Sequence, residues 1–78
     1  MKNITALTLE SYKEFLQENN LSHNKDNIED YISFIYWDLR DELESACEDF
    51  HVPKDLEGIQ AQEYIEQQIR AILLNSNL

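Results

Sequence analysis

The chain has 78 residues, 16 acidic against 6 basic, a formal charge of −10, and a single cysteine, Cys47. At that charge phosphate backbones and anionic lipid headgroups repel it, so neither direct nucleic-acid binding nor membrane-surface binding is expected. One cysteine allows no intrachain disulfide and no cysteine-based zinc site, the N-terminus lacks the apolar run of a signal peptide, and no stretch approaches the roughly 18 apolar residues of a membrane span. A cytoplasmic location is the expectation.

One Gly, one Pro and the absence of strand-like alternation predict an all-α domain over residues 1–78, a small three-helix bundle with a long central helix. Thr8 can cap a first helix over 9–19, where Leu9, Tyr12, Phe15 and Leu16 recur at helical spacing and Asn19-Asn20 stops the run. A polar link follows, and Asp26 with Glu29 has the spacing of a capping box for a second helix over 26–50. Its apolar stripe is Ile28, Ile32, Ile35, Leu39, Leu43, Ala46 and Phe50, flanked by Tyr31, Tyr36 and Cys47. Val52-Pro53 ends that element, because the residue before a proline is pushed out of the α region. Asp55 or Gly58 then opens a third helix over 57–74, with Ala61, Ile65, Ile69, Ile72 and Leu73 inward, and the tail 75–78 is expected to fray.

Residues 26–50 hold nine of the sixteen acidic residues and a single base, Arg40. At about 100° per residue, Phe34 and Trp37 fall outside the apolar stripe, on a face shared with Asp30, Asp41, Glu44 and Glu48 and bordered by Asp38. Aromatic anchors ringed by charge are what a protein interface uses, the aromatics for energy and the rim for steering. The competing reading puts helix 2 between helices 1 and 3 with both aromatics in the core. Neighbouring carboxylates on a helix lie about 5–6 Å apart, close to phosphate spacing, so Asp41, Glu44 and Glu48 suit a nucleic-acid mimic. Cys47 and His51, four apart, are read as a core thiol and a helix-end imidazole rather than as metal ligands, and His23 stands alone in a loop. No catalytic, metal or cofactor motif is present, so enzymatic activity is not expected.

The stretch from Glu42 to Ile65, with Glu48-Asp49-Phe50, Val52-Pro53, Asp55, Glu57, Ile59 and Glu63-Tyr64-Ile65, resembles the C-terminal half of acyl carrier proteins over about a third of the chain. That resemblance implies an acidic helical carrier or adaptor domain of a larger assembly. The family's Asp-Ser-Leu at a helix start has no counterpart, since Ser33 follows Ile32 and Ser45 lies between Glu44 and Ala46. The leading expectation is a protein-binding inhibitor of immunity, anti-restriction or anti-CRISPR type. Through Asp30, Phe34, Trp37, Asp38, Asp41, Glu44 and Glu48 it would occupy a basic surface on a partner, such as a nucleic-acid-binding enzyme or effector complex.

Overall fold

The computed structural model describes residues 3–46 and 50–76, except for the side chains of residues 35–37 and 46. Among the described residues the chain is all-helical, with α1 (Ile4–Glu18), α2 (Lys25–Ala46) and α3 (Ile59–Leu74), each packed against the other two.

The first helix begins five residues before the expected start. Asn3, not Thr8, is its N-cap: the Asn3 side-chain oxygen accepts from the Ala6 N–H at 2.7 Å, and its carbonyl accepts from the Leu7 N–H at 3.1 Å. Both residues have cap chemistry, and what decides between them is burial. Starting at Ile4 adds Leu7 to the core, whereas Thr8 is carried inside the helix and fully buried with its hydroxyl unpartnered. The helix stops where expected, by a Schellman motif. The Leu21 N–H reaches back to the Leu16 carbonyl at 2.9 Å and the Asn20 N–H to Gln17 at 3.3 Å, with Asn20 at φ 53° in the position usually given to glycine.

A second correction concerns the start of α2. Its first turn is capped by Asn24, whose side-chain oxygen accepts from the Asn27 N–H at 2.8 Å and whose carbonyl accepts from Ile28 at 3.0 Å. Asp26 therefore sits inside the first turn, where its charge faces the positive end of the helix dipole, rather than at the cap. The described helix ends at Ala46, and Phe50 is not helical, so the expected span to 50 is too long; Cys47, Glu48 and Asp49 lie outside the described residues. Phe50 is nevertheless buried, stacked on Tyr64 of α3 with ring centroids 6.5 Å apart at 4°. Its apolar side chain therefore reaches the core from a connecting segment, so continued helical phase was not needed.

Gly58 caps α3 at φ 56° and ψ −124°, a conformation open in practice only to glycine, and no side chain assists it. At the far end Asn75 and Ser76, part of the tail expected to fray, are hydrogen-bonded back to α3, and residues 77–78 lie outside the described residues. The Asn75 side chain donates to the Ala71 carbonyl at 2.9 Å and the Ser76 hydroxyl to Leu73 at 2.7 Å, which satisfies carbonyls the helix leaves open.

One core joins the three elements: Leu7 and Tyr12 from α1, Ile28, Tyr31, Ile32, Leu39 and Leu43 from α2, and Ile65, Ile69 and Leu73 from α3, with Phe50. Each fully buried aliphatic here contributes about 1.5–3 kcal/mol. Ile72, expected inside, is only half-buried at the edge. Outside the core, Arg70 of α3 grips Glu29 of α2 with two parallel hydrogen bonds of 2.6 and 2.7 Å, which fixes the registration of the two helices.

Candidate protein-binding face

The core stripe of α2 leaves its opposite face outward, and Phe34 is on it. Phe34 is 82% exposed, although α2 contacts both other helices, so the reading that buries Phe34 between them is excluded. Its ring is tilted 43° against Phe15 of α1 with centroids 6.3 Å apart. Leaving an aromatic of this size in water forgoes about 1.5–3 kcal/mol of burial, and packing within the chain does not recover it.

Asp30, Asp38 and Asp41 are exposed beside it. At about 100° per residue these three and Phe34 stay within about 40° of one line down the helix, and from Asp30 to Glu44 that line runs about 21 Å. Glu44 is exposed too but shared, since the Arg40 guanidinium holds it at 3.2 Å one turn away. Trp37 lies in α2 about 60° from Phe34 by helical spacing, and its side chain is outside the described residues, as is the whole of Glu48. Of the seven residues expected to form the face, Asp30, Phe34, Asp38, Asp41 and Glu44 therefore lie on one helix with their side chains in solvent.

Two recesses lie between α1 and α2. One, of about 450 Å³, lies between the end of α1 and the beginning of α2 and is lined by Phe15, Asn19, Leu21, Asp30, Ser33 and Phe34. The other, of about 260 Å³, is an acidic cleft of Leu7, Glu10, Ser11, Glu14 and Glu42. Neither was legible in the sequence, because each needs α1 and α2 side by side; the one local signal was Glu10 and Glu14, like charges one turn apart.

Beside the acidic cleft lies Tyr31. Burial pushes its hydroxyl up to about 12, Ser11 opposes the shift, and the charge of Glu42 adds to it. Ser11 is near, but the phenol oxygen completes no hydrogen bond of good geometry. Burial also raises the Tyr12 hydroxyl, with the Asn24 backbone acting the other way. Tyr12 in turn bonds His23 Nδ1 at 2.9 Å, so His23 does not stand alone: it ties the α1–α2 link to the core. Among the described residues no group of three or more His, Cys, Asp or Glu side chains is placed to hold a metal ion. His51 is exposed, and its expected neighbour Cys47 lies outside the described residues.

Both serines that bear on the carrier resemblance lie within α2 rather than at its start, Ser33 on the third turn and Ser45 next to the last residue. The Ser45 hydroxyl donates to the Asp41 carbonyl at 2.8 Å. No described helix is long and apolar enough to cross a membrane. The chain matches no family model, no curated protein and no solved structure.

Proposed function

We propose that this protein is a small acidic binding protein, a three-helix bundle with α2 as its central spine, that inhibits a partner by occupying a basic, nucleic-acid-binding surface. Phe34 carries this reading: a phenylalanine 82% exposed in a row with Asp30, Asp38 and Asp41. The carboxylates steer a cationic surface toward α2, and burial of Phe34, with Trp37 beside it, holds the complex once formed. Partner cations that otherwise hold phosphates would meet Asp38, Asp41, Glu44 and Glu48, which is the mode of an immunity, anti-restriction or anti-CRISPR factor.

Affinity capture from the source cell supplies the partner, and competition tests the mode. Replacing Asp41→Asn, Glu44→Gln and Glu48→Gln together should leave the fold intact, because relief of like-charge repulsion offsets loss of the exposed Arg40–Glu44 pair, and should abolish binding at low salt. Parent protein should displace the partner's nucleic acid. A ternary complex of protein, partner and nucleic acid, or unweakened binding by the triple variant, would overturn the reading.

A further inference from the structure

The recess between the last turn of α1 and the early turns of α2 combines an aromatic wall with a carboxylate, and each part of it selects the same ligand. Phe15, Leu21 and Phe34 are its apolar side; Asp30, Asn19 and Ser33 supply oxygens. Asp30 and Phe34 are one helical turn apart, so their side chains stand next to each other. Glu29 is taken by Arg70 and Glu44 by Arg40, whereas Asp30 is exposed and has no ion-pair partner among the described residues. The side-chain amide nitrogen of Asn19 is committed to the Phe15 carbonyl at 2.9 Å, which leaves its oxygen as the group that accepts. The last turn of α1 carries no basic residue, so no side-chain charge within it opposes the negative end of the helix dipole at this recess. The Schellman turn through Asn20 fixes the position of Leu21.

We propose that this recess is a docking site for an arginine side chain of the partner, its guanidinium hydrogen-bonded to Asp30 and stacked on Phe34. Arginine fits for three reasons. Its guanidinium is planar and weakly hydrated, so it stacks on a ring that a lysine ammonium, a hydrated point charge, would meet less well. A purely apolar side chain would desolvate Asp30 without compensation. A metal ion lacks ligands here, since the described carboxylates form no cluster around the recess. The proposal rests on the reading of α2 as a face for a basic partner and names what that partner presents.

The test needs no partner. The isotope-labelled full chain is titrated by NMR with N-acetyl-arginine amide, N-acetyl-lysine amide and N-acetyl-leucine amide. The arginine derivative should give saturable shifts centred on Asn19, Leu21, Asp30, Ser33 and Phe34, and should bind about 2- to 5-fold more tightly than the lysine derivative, the range of an exposed cation–π contact. Asp30→Asn and Phe34→Leu should each weaken it, and both alter exposed positions, so circular dichroism should be unchanged. Equal binding of arginine and lysine, a leucine derivative that binds as well, shifts confined to Glu10, Glu14 and Glu42, or an Asp30→Asn variant that binds like the parent would each overturn the site. Any of these would leave the competition experiment untouched, whereas loss of competition with normal arginine binding would remove the inhibitor reading and keep the recess.

Discussion

Tyr31 and Phe34 are three residues apart on α2 and have opposite fates, one fully buried and one 82% exposed. The Tyr31 hydroxyl is held up to about 12, above its ordinary 10.0, because burial penalises the phenolate. A group with a raised folded value leaves stability intact below its unfolded value and removes it above. Unfolding free energy should therefore fall by about 1.4 kcal/mol per pH unit between roughly pH 10 and 12, and Tyr31→Phe should flatten that slope. At neutral pH the same substitution should leave stability equal or raise it by about 1 kcal/mol, since the hydroxyl it removes is buried without a partner. Urea titrations of both proteins at pH 7 and pH 11 check both statements, and a loss of more than 1 kcal/mol at pH 7 would mean the hydroxyl is bonded after all. Phe34→Ala should change folding stability by less than about 0.5 kcal/mol, whereas Leu43→Ala, at a fully buried position, should cost about 2–5 kcal/mol. Trp37 is the chain's one tryptophan, so its fluorescence reports on that position alone. On the proposed face it should emit red-shifted and be readily quenched in the free protein, then become protected when the partner binds.

At the scale of elements, the starts of α1, α2 and α3 differ in what holds them. Asn3 and Asn24 cap by side chain, but Gly58 caps by backbone conformation alone. A Cβ added at Gly58 would meet nothing within 4 Å, so Gly58→Ala isolates the cost of the left-handed backbone itself. Thermal unfolding should show a loss of about 1–3 kcal/mol, and an unchanged midpoint would mean the backbone there can relax. The α2–α3 clasp is testable by pH. Its hydrogen bond from Arg70 holds the Glu29 carboxyl below its ordinary value. A depressed folded value gives stability that is present above the unfolded value and lost as pH falls through the folded one. Glu29 is half exposed, so the clasp should be worth at most about 1 kcal/mol at pH 7, and Arg70→Met should cost that much there and nothing once the carboxyl is protonated.

For the molecule as a whole, a charge of −10 on 78 residues sets folding and binding against each other. Self-repulsion opposes the compact state, so raising salt from about 0.01 M to 1 M, which shortens the screening length from about 30 Å to 3 Å, should raise the unfolding midpoint. The same salt should weaken attachment to a basic partner. Calorimetry and binding isotherms over one salt series separate these, and an unfolding midpoint that falls with salt would show that ion pairs such as Glu29–Arg70 outweigh the repulsion.

Periodicity alone determined the helical class, the inward positions Ile28, Leu39, Leu43, Ile65, Ile69 and Leu73, and the stop at Asn19-Asn20, because a 3.6-residue repeat and the conformational habits of Asn are local properties. It also placed Asp30, Phe34, Asp38, Asp41 and Glu44 off the stripe, where the structure has them exposed. Cap choice was not legible, since Asn3 and Thr8, or Asn24 and Asp26, offer equivalent oxygens; for α1, packing of Leu7 and Thr8 against the other helices decides between starts. The tertiary structure likewise decided that Phe50 is buried from outside a helix, that His23 answers Tyr12, and that Arg70 answers Glu29 from 41 residues away. The recess at Asp30 and Phe34 belongs with these, because its walls come from two helices, and no one-dimensional pattern records which carboxylate will be left without a partner once they meet.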